Sequence, residues 1–211
     1  MEEFKKYRSD SLAEEYGVKD LGEGFDDTDI DSEEMKTQEE IPVKEIRGVK
    51  IPSTLSGEIE KTLNERLGDE YTAYYFYRNA ANWCKNINYK KAAEFFNSEA
   101  EGELGHAQGI QDYLTQWNLI PQIPQVPTFY KFENLIEIID KAYDLEYNLL
   151  QKYAENQKEF LGLDPATFNF IQKYVDIQND EVSEYSDLLN ALQLVNTENK
   201  FELLYFENTY F

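Results

Sequence analysis

His106 is the only histidine in 211 residues, and it follows Glu103 by three in the run Ser98-Glu-Ala-Glu-Gly-Glu-Leu-Gly-His106. Residues three apart on a helix share a face, so the carboxylate and the imidazole point the same way. A Glu-x-x-His pair facing into a four-helix bundle is a device for holding carboxylate-bridged iron or manganese. Alone the pair says little, because the spacing arises often by chance and a lone helical histidine is more commonly a surface or satisfied core residue. It gains meaning if other helices bring carboxylates to the same place. Glu70 follows Leu67 by three and Leu63 by seven, so it sits on an apolar face. Glu146 stands among Ala142, Tyr143, Leu145, Leu149 and Leu150. Gln178 and Glu181, themselves three apart, lie amid Tyr174, Ile177, Tyr185 and Leu188. A charge on an apolar stripe is costly unless it is paired or bound to metal.

The elements that must carry these residues are helices. Leu55, Ile59, Leu63, Leu67, Tyr71, Tyr74 and Tyr75 keep helical spacing and predict a helix over 55–84, capped by Ser53 or Ser56. Asn86-Ile-Asn88 marks a turn, and a second helix is expected over 89–117. Pro121, Pro124 and Pro127 then exclude helix and favour extended chain. So long a connection needs a reason, and a crossover along the bundle, leaving the third helix parallel to the second, supplies one. A third helix is expected over 132–159. Asp164 caps a fourth over 165–193, with Pro165 at its first position. A short fifth covers 200–207. The fold class is all-α: a four-helix bundle of two hairpins, with one long crossover between helices 2 and 3.

Composition narrows the partners. A net charge of −22 argues against nucleic acid or an anionic membrane and favours cations and basic partners. The single cysteine, Cys84, excludes an internal disulfide and reads as a packed thiol at a helix end. No stretch approaches 18 apolar residues and the first residues have no apolar core of a signal, so a soluble, cytoplasmic chain is expected. Residues 1–45 carry sixteen acidic against six basic side chains. Residues 1–47 therefore read as an acidic arm, disordered or docking to a protein partner, and 48–211 as the bundle domain. The Asp26–Asp31 run lacks the spacing of a calcium loop.

Five segments in order resemble the bacterial non-haem ferritins, over residues 48 to about 207. They are Leu63-Asn-Glu-Arg-Leu-Gly-Asp-Glu-Tyr-Thr-Ala-Tyr-Tyr-Phe-Tyr77, Glu103-Leu-Gly-His106, Tyr143-Asp-Leu-Glu146, Thr167-Phe-Asn-Phe-Ile-Gln-Lys-Tyr-Val175 with Gln178 and Glu181 beyond it, and Leu203-Leu-Tyr-Phe206. The resemblance implies a ferritin-like bundle with a dinuclear iron centre, manganese being the alternative metal. Glu103 would bridge two irons, Glu70 and His106 would complete one, and Glu146 and Glu181 the other. Tyr77 would supply an electron or steady a ligand through a hydrogen bond, and Gln178 would hold an oxygen species or water. Gly102 and Ile177 replace carboxylates that many members use for a further iron, so that position is expected to be lost or weakened, although Asp180 remains. Leu145 stands where a histidine is common.

The function implied is oxidation of Fe(II) by O₂ or peroxide, for storage or detoxification, in a homo-oligomer that could close into a cage. The acidic arm has no counterpart in the family pattern and motivates a rival: a structural or cargo protein docked in a virion or protein shell. An oxygenase acting on an organic substrate fits less well. Such proteins carry Glu-x-x-His on two helices, whereas the fourth helix here offers Gln178-x-x-Glu181.

Overall fold

The computed structural model describes residues 55–125 and 131–211, all within one compact unit. The acidic arm and its expected docking role lie outside the described residues. Five helices follow in order: α1 (Gly57–Asn86), α2 (Lys90–Gln116), α3 (Leu135–Phe160), α4 (Pro165–Leu192) and α5 (Lys200–Tyr210). Among the described residues no helix is long and apolar enough to cross a membrane.

Each start has a physical cause. Ser56 caps α1 by accepting from the Ile59 amide, Asn134 caps α3 through Glu137, and Asp164 caps α4 through Thr167 with Pro165 behind it. Of the two serines considered for α1, Ser56 does the work. α1 and α2 both end on an asparagine in the left-handed region, Asn88 at φ 71° and Asn118 at φ 61°. There the amides of Tyr89 and Leu119 turn back to the carbonyls of Cys84 and Leu114, the Schellman closure that asparagine tolerates. Cys84 is fully buried near the end of α1, as a packed thiol.

Side-chain pairings fix the topology. Arg66 meets Asn156, Glu70 meets Tyr153 and Tyr77 meets Glu146, so α3 runs antiparallel to α1. Tyr71 meets Gln111 while Arg78 meets Glu101, so α2 is also antiparallel to α1. Tyr113 meets Thr167 and Tyr185 meets Glu99, setting α4 against α2. α2 and α3 are therefore parallel, which requires the crossover. Its described part climbs beside α1: the Gln122 amide donates to Asn64 Oδ1 at 2.7 Å, and Pro124 packs by Gly68.

Packing follows the sequence stripes and leaves a polar seam. One apolar cluster gathers Ala73, Tyr77, Phe96, Ala100, Ala142 and Tyr185, and the other Leu63, Leu67, Ala107, Leu149, Tyr153 and Tyr174. Each fully buried aliphatic or aromatic side chain contributes about 1.5–3 kcal/mol. Along α1 the change from one cluster to the other falls between Leu67 and Ala73, on α2 between Ala100 and Ala107, and on α3 between Ala142 and Leu149. Glu70, Glu103 and Glu146 occupy those gaps.

α3 begins at Leu135 rather than 132. Phe132 instead turns inward, 5.5 Å edge-on to the ring of Phe76. α5 is longer than expected and docks through Phe206 and Glu207, both buried.

Candidate metal centre

The seam brings all five predicted metal-site residues together. Ligand atoms of Glu70, Glu103 and His106 lie within 4.8 Å of one another, and so do those of Glu103, Glu146 and Glu181. Glu103 belongs to both groups. His106 Nδ1 stands 3.2 Å from Glu103 Oε2 and 3.5 Å from Glu70 Oε2. Glu70 and Glu146 are wholly buried and Glu103 nearly so, whereas the His106 side chain keeps 19% of its surface exposed. Glu181 is half-buried. The centre is thus sealed on the α1–α3 side and reached between α2 and α4.

Around these acids stand hydrogen-bond donors. Tyr77 donates to Glu146 Oε1, and Gln178, itself buried, donates through Nε2 to Glu181 Oε2. A further phenol, Tyr153, donates to Glu70 Oε1. Sequence reading passed over it, although a signal existed: Tyr153 follows Glu146 by seven, as Tyr77 follows Glu70. Tyr185 and Tyr174 of α4, also buried, stack on Tyr77 and Tyr153 respectively. Each serves the seam rather than the apolar core alone.

Crowding four carboxylates beside one imidazole perturbs their protonation. Burial, then the charges of Glu70, Glu146 and Glu181, holds Glu103 well above the ordinary carboxylate range. Burial and the charges of Glu146 and Glu70 push Glu181 up to about 10. Glu146 rises to about 7 through burial, against the stabilising hydrogen bond from Tyr77. Burial lowers His106, but the hydrogen bond and charge of Glu70 outweigh it and leave it raised. Like charges held apart from solvent keep protons unless a cation replaces them.

Unsatisfied atoms point to the same replacement. Glu146 Oε2 and Gln178 Oε1 are buried without a hydrogen-bond donor, and Glu70 Oε2 has only the His106 Nδ1 at 3.5 Å, an arrangement that costs free energy as it stands. All three are acceptors, as a cation requires. Two divalent cations would neutralise four carboxylates, and hard oxygens with one imidazole suit ferrous, ferric or manganous ions. The residues present fit a dinuclear site.

A family model, the ferritin-like domain, matches residues 60–195. The chain belongs to the ferritin family. This ferritin is 30% identical to the bacterial non-heme ferritin of Escherichia coli O157:H7 over 142 residues, 66% of this chain and 86% of that protein. A probable bacterial non-heme ferritin-like protein of Haemophilus influenzae is 26% identical over 148 residues, 69% of this chain and 90% of the relative. Among solved structures, Chlorobium tepidum ferritin superposes with a TM-score of 0.66 at 27% identity, covering 73% of this chain and 95% of that one. The open-pore ferritin of Archaeoglobus fulgidus has the same fold, with a TM-score of 0.68 at 22% identity over 74% of this chain and 98% of its own.

Two positions linked with a further iron hold no acid here. A side chain added at Gly102 would meet nothing within 4 Å, and Ile177 is half-buried. Asp180 is exposed, as are Glu184 and Asp187 farther along α4, forming a solvated acidic face.

Proposed function

We propose that this ferritin oxidises Fe(II) with O₂ at a dinuclear centre, for iron storage or detoxification. The observation that carries the reading is the sharing of Glu103: one carboxylate lies within ligand reach of two separate residue pairs, Glu70 with His106 and Glu146 with Glu181. Glu103 bridges two ferrous ions, Glu70 and His106 complete one position, and Glu146 and Glu181 the other. Iron is both substrate and reductant, each ion supplying one electron to the oxidant. Manganese suits the same donor set but enters here only as a competitor.

The protein's own part is positioning and proton handling. Tyr77 and Tyr153 fix the carboxylates of Glu146 and Glu70 from the sealed side, so their remaining oxygens turn toward the metal positions. Loading displaces the protons that Glu103 and Glu181 hold. Gln178 Oε1 stays free to accept from a water or an oxygen species. The opening by His106 and Glu181 admits Fe(II) and O₂, while the apolar clusters keep water from the interior. The chain works as a homo-oligomer, a proposal supported by the uncovered apolar face of α5.

Anaerobic titration with Fe(II), followed by exposure to O₂, tests the reading. The expected outcome is saturation at about two ions per chain, as a dinuclear carboxylate centre requires, and rapid oxidation on mixing. Unchanged binding and oxidation in a Glu103→Ala, His106→Ala double variant would overturn it.

A further inference from the structure

The tyrosines about the centre form a pattern that the proposed function uses only for positioning. Glu70 and Tyr77 stand seven apart on α1, and Glu146 and Tyr153 stand seven apart on α3. Seven residues make nearly two helical turns, about 10 Å of rise. Because α1 and α3 are antiparallel, the two pairs lie head to tail, and each phenol reaches the other pair's carboxylate. The arrangement is close to two-fold, with one wholly buried phenol for each metal position. Each phenol also lies flat against a second tyrosine: Tyr77 on Tyr185, centroids 6.0 Å apart and 7° from parallel, and Tyr153 on Tyr174 at 5.0 Å and 22°.

A phenol that loses an electron becomes a strong acid, so it is oxidised readily only where a base waits for its proton. Tyr153 has such a base in Glu70 Oε1, as Tyr77 has in Glu146 Oε1. Resting on the iron-oxidising reading above, we infer that Tyr153 is a second redox tyrosine, giving one electron at the Glu70 side while Tyr77 gives one at the Glu146 side. Two ferrous ions and two phenols then supply the four electrons that take one O₂ to two waters. The O–O bond and both phenolic O–H bonds break. Two protons come from the phenols by way of Glu70 and Glu146, and two come from solvent. Two ferric ions and two neutral tyrosyl radicals remain. Without the phenols, two ferrous ions reduce O₂ only as far as hydrogen peroxide.

The stacked partners give the two radicals different fates. Tyr185 donates to Glu99 Oε2 at 3.1 Å, so it too has a base, and a radical on Tyr77 can pass to it. Tyr174 donates to the backbone carbonyl of His106 at 2.9 Å, and an amide oxygen does not take its proton. The radical on Tyr153 therefore stays where it forms. It is the longer-lived of the two.

Freeze-quench electron paramagnetic resonance tests this on the full chain, loaded anaerobically with Fe(II), mixed with O₂, and compared with Tyr77→Phe and Tyr153→Phe. Phenylalanine keeps the ring and its stack while removing the hydroxyl. The expected result is that Tyr153→Phe loses the slowly decaying radical and releases more hydrogen peroxide per iron oxidised, while Tyr77→Phe loses the fast-decaying one. With 3-fluorotyrosine placed at position 153, the slow signal should show fluorine hyperfine coupling. A radical yield per bound iron in Tyr153→Phe equal to that of the unaltered chain overturns the inference. Weaker Fe(II) binding with that yield unchanged overturns it too, leaving Tyr153 as a positioning residue for Glu70. Failure of the unaltered chain to bind Fe(II) in the preceding titration sinks the reading of the centre itself and is distinguishable from either result.

Discussion

Glu103 is held in a place that suits it poorly without a cation. It is nearly buried, faces three other carboxylates, and its proton is bound far more tightly than in solution. Keeping a carboxyl protonated at pH 7 that would ionise in the unfolded chain costs about 1.4 kcal/mol per pH unit. Glu103→Gln has nearly the same shape and no such cost. The metal-free variant is expected to be about 2 kcal/mol more stable than the unaltered protein, a rise of several degrees in Tm, while its Fe(II) binding is lost. Thermal melts with a chelator and an anaerobic titration check both halves, and a less stable variant would contradict the first. The same groups set a pH slope. The folded chain keeps protons on Glu103, Glu146, Glu181 and His106 that the unfolded chain has given up, so metal-free stability falls as pH rises. The window opens above the ordinary carboxylate value. It runs through about 7, where Glu146 titrates, toward about 10 for Glu181. Melts between pH 5.5 and 8.5 should show a falling Tm with chelator present and a flattened or reversed slope with a divalent cation. A Tm that rises with pH in chelator would refute the protonation pattern. The five candidate ligands that the fold gathers were legible in the sequence, Glu103 and His106 by their spacing and Glu70, Glu146 and Glu181 as acids among apolar neighbours. The cross-bonds of Tyr77 and Tyr153 were not, since which acid a phenol meets depends on the register between α1 and α3.

Among the elements, α2 has the weakest start of its own. Its N-cap is Tyr89, which makes no side-chain cap bond. The missing acceptor arrives from α5, where the buried Glu207 accepts from the amides of Lys91 at 2.6 Å and Ala92 at 3.1 Å. A carboxylate on the first amides of a helix also meets the positive end of its dipole. Glu207 thus does two jobs, capping α2 and fastening α5. Glu207→Ala should cost about 1–2 kcal/mol, the usual worth of a cap, and should speed hydrogen exchange at Lys91 and Ala92 more than elsewhere in α2. Chemical denaturation and exchange mass spectrometry measure these, and uniform exchange across α2 would show that the contact is not a cap. Helix positions were readable to within a few residues where the stop and start signals are local, as with Asp164-Pro165. They drifted where the deciding contact is distant. Phe132 reads as the first residue of a helix until its packing against Phe76 is known, and nothing near Tyr89 in the chain announces a cap 118 positions farther on.

At the scale of the whole molecule, each candidate centre is complete within one chain, since all five residues come from the same bundle. On the proposed reading, oxidation would need no neighbour, whereas retention of a ferric product would. Two features bear on assembly and oppose one another. α5 exposes Phe201, Leu204 and Tyr205, and Leu194 just before it is 79% exposed; covering them would remove apolar surface from water. The charge of −22 per chain makes copies repel. Repulsion is screened over about 10 Å at 0.1 M salt and only over about 30 Å at 0.01 M, so self-association should strengthen as salt is raised between these limits. Sedimentation velocity at the two concentrations checks it, and sizes that shrink with salt would mean that ion pairs rather than apolar faces join the copies. The pair of substitutions Phe201→Asp and Tyr205→Asp touches only exposed positions and should leave a smaller species at high salt. That species separates oxidation from storage. If each bundle carries its own working centre, its initial rate of Fe(II) oxidation per chain should match that of the unaltered protein, while its ferric product escapes into solution and precipitates. An oxidation rate that falls along with assembly would instead mean that the centre depends on a neighbouring copy.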